Sequence, residues 1–152
     1  MDVVAELDAE CPPARLRELI RDLDRYPSWL SIVPRADREP AADDTSSDPA
    51  SAPAWSVELR AKVGPLARSK RLRMVRTTDE PDHVRFERAE LDGREHSSWV
   101  LDARIAPMST SSRVTMRLHY GGRLGGAAVE RLLRDEIEAS RPRLRALAED
   151  DS

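Results

Sequence analysis

Three charged side chains fall where a strand pattern would turn them inward. Apolar residues alternate at Leu72 and Met74, and again at Val84 and Phe86. The same parity takes in Arg76 from the first run and Arg88 and Glu90 from the second. A charge facing an apolar interior must be paired, reach solvent at a cavity mouth, or meet a polar group of a ligand. Left free, Arg88 can hold a carboxylate, phosphate or enolate oxygen. Otherwise Glu90 pairs with Arg88 or Arg76, or a bulge reverses the parity. Arg88 is the leading single site candidate.

Other reactive residue types carry less. His83, His96 and His119 fall at a turn, a strand start and an outward strand position, with no two at ligand spacing. No metal site is expected. Cys11, the only cysteine, precedes a proline pair and has no histidine near it in sequence. It is read as structural rather than nucleophilic. GGRLGG, Gly121 to Gly126, follows a strand and opens a helix, yet matches neither phosphate-binding glycine pattern. A flexible strand-to-helix joint is the expectation there.

These residues need a scaffold, and 152 residues suffice for one domain with one core. The single cysteine excludes a disulfide framework and suits a reducing compartment. Twenty-five basic against 28 acidic residues give a formal charge of −3, so no nucleic-acid partner is expected. MDVVAELDAECPP lacks the pattern of a signal peptide, and nowhere do 18 apolar residues run together. A cytoplasmic protein without stable membrane insertion is therefore expected.

Val3 to Leu7 reads as a strand, stopped by Pro12-Pro13. Leu16, Leu19, Ile20 and Leu23 then follow helical spacing, predicting a short amphipathic helix that ends near Asp24. In RYPSWL, Pro27 breaks the chain between this helix and a second short one, with Tyr26 and Trp29 wedging the break against the sheet. Ser31 to Ala36 is a candidate strand. Residues 39–54, rich in Pro, Ala, Asp and Ser, predict a disordered loop between strands 2 and 3.

Period-two patterns follow at Trp55–Val63, Leu72–Met74, Val84–Phe86, Trp99–Ile105 and Val114–Tyr120. The links DEPD, LDGRE and APMSTSS make these strands antiparallel neighbours. Their outward positions, among them Arg60, Lys62, Arg71, Arg73, Arg85, Arg104 and Arg117, interleave with Glu58, Glu87 and Asp102 and predict a solvated ion-pair face. A helix over 125–148, with Val129, Leu133, Ile137, Ser140, Leu144 and Leu147 on one stripe, covers the inner face. Pro142 interrupts its hydrogen bonding.

That order, with RDLDRYPSWL early, VGPLARSKRLRMV in the middle and GGAAVERLLRDEIEASRPRLRAL at the end, resembles the START-like (SRPBCC, Bet v 1-like) superfamily. The likeness is greatest to its bacterial polyketide cyclase/dehydrase and lipid transport branch, and it spans nearly the whole chain, 1–152, apart from the loop. It implies an α+β helix-grip fold. In that fold a curved seven-stranded antiparallel sheet wraps a long C-terminal helix, and two short N-terminal helices close one end of a cavity.

The resemblance implies binding or transport of a small hydrophobic or lipid-like ligand, without cofactor, and leaves oligomeric state open. The wall candidates are Tyr26, Trp29, Trp55, Leu59, Met74, Phe86 and Arg88, together with Glu90, Trp99, Leu101, Met116, Tyr120, Leu133 and Ile137. The alternative is a polyketide cyclase or aromatase, in which Arg88, Tyr120 and Ser140 orient a poly-β-ketone and assist proton transfer. A third class is a protein-interaction module, as in superfamily members that associate with ribosomes; the negative net charge counts against it.

Overall fold

A computed structural model describes residues 2–40, 52–63, 66–121 and 127–150. Strand β1 (Asp2–Ala9) leads into helix α1 (Pro13–Ile20) and a 3₁₀ helix (Leu23–Ser28). Six strands follow: β2 (Arg35–Arg38), β3 (Ala54–Val63), β4 (Leu66–Glu80), β5 (His83–Arg88), β6 (Trp99–Pro107) and β7 (Ser112–Tyr120). Helix α2 (Ala127–Glu149) ends the chain. The strands form one antiparallel sheet in the order β1-β7-β6-β5-β4-β3-β2, which joins the first strand to the last and leaves β1 and β2 at the edges.

Alternation decides the faces as expected. Trp55, Val57, Leu72, Met74, Val84, Phe86, Ala103, Ile105 and Val114 are buried, while Arg85, Glu87, Asp102, Arg104 and Arg113, at alternate positions between them, form ion pairs on the outer face. There Asp102 receives Arg85 and Arg104 at 3.6 and 3.7 Å, and Asp2 receives Arg117 at 3.1 Å. Helix α2 packs on β1, β3 and α1, with Leu133, Ser140, Leu144 and Ala148 buried beneath it. Its expected start at 125 and the side chain of Val129 lie outside the described residues, as do 41–51 of the expected loop and Gly122 to Gly126 of GGRLGG. Of that loop's ends, Ala54 already belongs to β3, and its carbonyl accepts the Glu39 N–H at 2.9 Å.

The N-terminal helices depart from expectation. Helix α1 stops at Ile20 rather than near Asp24, and the 3₁₀ helix starts at Leu23, so the break lies at Arg21-Asp22 and not at Pro27. Pro27 is the second residue of a turn closed by Trp29 N–H on the Tyr26 carbonyl, at 3.0 Å, where no N–H is needed. The cause of the break lies 54 residues away. The Arg76 guanidinium donates to the Arg21 carbonyl at 2.6 Å and to Asp22 Oδ1 at 3.0 Å, holding Asp22 in extended conformation. Strand β2 likewise begins at Arg35, after Pro34, because residues 30–33 close a turn through Val33 N–H on the Leu30 carbonyl.

Arg76 is the centre of a larger group. Its Nη2 lies 3.4 Å from Asp79, which also receives Arg17 at 2.5 Å and Arg21 at 3.0 Å. Residues three apart on a regular strand face opposite ways. Here the register slips between Arg76 and Thr78, and the extra residue brings Asp79 round to the arginine. The Trp55 ring lies 5.5 Å from the same guanidinium, and its Nε1 donates to Asp24 at 2.8 Å.

Arg76→Met leaves Asp22, Asp79 and the Arg21 carbonyl without their buried donor. We expect a loss of about 3 kcal/mol in urea unfolding; a loss under about 1 kcal/mol would mean solvent replaces the arginine. Burial raises the Asp79 carboxyl, but Arg76, Arg17 and Arg21 outweigh it and hold the group below its ordinary value near 3.8. Its stabilising contribution is therefore complete above that value and is lost as pH falls through the lower folded one. Unfolding midpoints at pH 7 and pH 2 should differ less in Asp79→Asn than in the parent chain.

Candidate functional site

Sheet and α2 do not close fully on each other. Between them lies a cavity of about 110 Å³, somewhat smaller than the engineered apolar cavity of about 150 Å³ that admits benzene. Its wall draws on β1, the 3₁₀ turn, β3, β4, β6, β7 and α2, and is almost wholly apolar. Leu59, Leu101, Met116 and Leu118 face inward yet are only partly buried, because the space in front of them is unfilled. The charged lining residues, Glu6 and Arg141, have side chains 53% and 38% exposed and mark where the cavity meets solvent. Glu6 lies 3.4 Å from Arg113, and Arg141 donates to Glu138 at 3.0 Å.

The aromatic residues form two clusters. Tyr26 lies tilted against Trp29 at 4.6 Å and meets Phe86 edge-on at 6.3 Å; Phe86 in turn meets Trp55 at 5.6 Å. Tyr26 is fully buried, and its hydroxyl donates to the Ile20 carbonyl at 3.0 Å. Burial, then the Asp22 carboxylate, pushes its phenol upward, so it stays neutral. Trp99 and Tyr120 make the second cluster, 4.6 Å apart. Tyr26, Trp29 and Trp99 line the cavity from these two groups.

The sequence candidates thus divide by position. Tyr26, Trp29, Leu59, Met74, Trp99, Leu101, Met116 and Ile137 stand in the wall, as does Ser140, whose Oγ donates to the Ile137 carbonyl at 2.6 Å. Trp55, Phe86 and Leu133 are buried in the core beside the cavity rather than lining it. Arg88, Glu90 and Tyr120 also lie off the wall, at the end of the sheet.

At that end Arg88 donates to Glu90 at 2.9 Å, and toward Ser97 and His96 at 3.3 Å. Burial raises the Glu90 carboxyl, but the Arg73 N–H and Arg88 outweigh it and hold it low. Lys70 Nζ lies 5.9 Å over the Tyr120 ring, and burial, then Arg88, lowers its pKa. Trp99 connects this polar group to the cavity by touching both.

Sequence reasoning did not pick out Glu6, Leu30, Leu118 or Arg141 as lining residues. Leu118 was legible from its strand parity. Glu6 and Arg141 were not, since they reach the mouth only because edge strand β1 lies beside α2.

Elsewhere the remaining candidates fall into ordinary pairs. His83 meets Asp102 at 2.5 Å, His96 meets Asp92 at 2.8 Å and His119 meets Asp2 at 2.7 Å. Among the described residues no three His, Cys, Asp or Glu side chains gather to hold a metal ion. Burial, then Glu149, raises the Cys11 thiol, the opposite of an activated nucleophile. No helix among the described residues is long and apolar enough to cross a membrane.

Comparison with known proteins agrees with this architecture. The solved structure of TTHA0849 from Thermus thermophilus matches with a TM-score of 0.65 at 17% identity, over 97% of each chain. The Zhui aromatase/cyclase from Streptomyces matches with a TM-score of 0.65 at 11% identity, over 97% of this chain and 93% of that one. The di-domain ARO/CYC StfQ from the steffimycin biosynthetic pathway matches with a TM-score of 0.63 at 13% identity, over 97% of this chain and 49% of that one. At these identities the likeness is one of fold. No curated protein matches. The family model described as polyketide cyclase / dehydrase and lipid transport matches residues 1–149, and the chain belongs to that family.

Proposed function

We propose that this chain takes an apolar organic molecule into the cavity between sheet and α2 and promotes a cyclisation or dehydration of it. The observation that carries the binding half is the cavity between sheet and α2, whose wall is almost wholly apolar and whose charged lining residues, Glu6 and Arg141, are solvent-exposed. Burying the ligand's apolar area supplies the affinity, about 25 cal/mol per Å² before the costs of association. The chemical half rests on the company the fold keeps, since Zhui and StfQ are named as aromatase/cyclases.

For that chemistry a further polar group adjoins the cavity through Trp99, besides the charges at the mouth. A substrate that displaces or passes this ring would meet Tyr120, Lys70 and Arg88, with Arg88 orienting a carbonyl oxygen and Tyr120 assisting proton transfer. Ser140 and Tyr26 are the hydroxyl residues already in the wall. Arg76 has no such part, because its bonds to Arg21, Asp22 and Asp79 tie it into the scaffold.

Carriage without reaction is the second reading, favoured by the scarcity of polar groups in the wall itself. Incubation with a linear poly-β-ketone thioester separates the two. The enzyme reading expects cyclised product above the spontaneous rate, reduced about 10²-fold in Arg88→Ala with the fold intact. A product profile identical to the uncatalysed one would reject catalysis. Displacement of a fluorescent fatty-acid analogue by that thioester would then support carriage.

A further inference from the structure

Of the chain's 25 basic residues only Lys62 and Lys70 are lysine, so arginine is its usual cation. Lysine offers what arginine lacks, an amine that can shed its proton and act as a nucleophile. Lys70 stands on the inner side of the sheet. It is paired with Leu59, a cavity-lining residue, and residues directly opposite on antiparallel strands project from one face. Arg88, opposite the lining residue Met74, and Tyr120, opposite the lining residue Trp99, share that face. Lys70 is half-buried beside them, with its Nζ 5.9 Å over the Tyr120 ring.

No carboxylate neutralises this ammonium. Among the described residues none lies within ion-pair distance of Lys70, and Glu90 is already taken by Arg88 at 2.9 Å and by the Arg73 N–H at 3.0 Å. Burial, then the Arg88 charge, disfavours the protonated amine and outweighs the opposing pull of Glu90. Desolvation beside a second cation is how a lysine amine is made nucleophilic.

We infer that Lys70 is a covalent catalytic residue, whose amine condenses with a ketone carbonyl of the substrate to give an imine. Nζ bonds to the carbonyl carbon, the C–O bond breaks, and the oxygen leaves as water with the two amine protons. Once protonated, the imine draws electrons from the neighbouring carbon. That carbon then loses a proton to solvent and attacks a second carbonyl, whose oxygen takes up a proton as the ring closes. Water hydrolyses the product imine and returns Lys70. This inference rests on the ketone substrate and the cyclisation proposed above, and gives Lys70 a part that an orienting charge does not have.

The probe is acetylacetone, a β-diketone that condenses with unprotonated lysine amines to a stable enaminone without a reductant. In peptide maps of wild-type protein read by mass spectrometry, Lys70 should gain the mass of the dione less one water about tenfold faster than Lys62. In urea, where the fold no longer distinguishes the two lysines, that preference should disappear. Lys70→Arg keeps the charge but has no amine to condense. It should abolish the adduct at that position and slow cyclisation of the poly-β-ketone thioester about as far as Arg88→Ala does.

Equal labelling of Lys70 and Lys62 in the folded protein overturns the inference. So does undiminished cyclisation by Lys70→Arg, which would leave the enzyme reading intact. If wild-type protein cyclises nothing while Lys70 is labelled selectively, the enzyme reading falls and takes the catalytic part of Lys70 with it.

Discussion

One buried guanidinium sets the shape of the N-terminal third of the chain. Arg76 sits on the inner face of β4 and holds a carbonyl and a carboxylate at the break between α1 and the 3₁₀ turn, with a second carboxylate just beyond the bulge. Desolvating such a charge is expensive, and only a full set of partners offsets the cost. Those partners come from elements distant in sequence, so the arginine dictates where helix α1 must stop. With the break fixed, Tyr26 lies against Phe86, and Trp29 is left in the cavity wall.

The cavity is the complement of that arrangement. The sheet and α2 could bury their apolar faces fully only if α2 lay flat on the strands. The 3₁₀ turn with Tyr26 and Trp29 instead fills one end, while β1 and α2 meet along the other side. The middle of the sheet keeps Leu59, Leu101, Met116 and Leu118 short of full burial. Such side chains lose dispersion contacts on one side, and an apolar guest restores them. The polar group formed by Lys70, Arg88, Glu90 and Tyr120 stays apart from this space behind Trp99, which keeps the wall apolar without removing charged chemistry from its neighbourhood.

Much of this was legible in the sequence because it depends on local periods. Alternation revealed the inner faces of the strands, short links revealed their antiparallel order, and three-and-four spacing revealed α2. The same parity placed Arg76 and Arg88 inward and therefore required partners for them. What could not be read was which partners. The ion pair of Arg88 with Glu90 is local and was among the alternatives, whereas Arg76 with Asp22 spans 54 residues, and Asp79 reaches Arg76 through a bulge that no residue type announces. The helix break at Arg21 was missed for that reason. Eight of the fourteen ligand-wall candidates stand in the wall. Trp55, Phe86 and Leu133 do not, because parity distinguishes inside from outside but not cavity from packed core.

Arg76 positions the turn carrying Tyr26 and Trp29. Amide hydrogen exchange in Arg76→Met tests this directly. Trp29 and Leu30 N–H both bond the Tyr26 carbonyl, at 3.0 and 2.8 Å, and report on that turn alone. Their protection should fall well below that of the paired amides of β6 and β7 in the same variant. No loss at Trp29 and Leu30 would show that the turn holds its position without the arginine, and equal loss at both places would show that the arginine supports the whole fold and not this turn in particular.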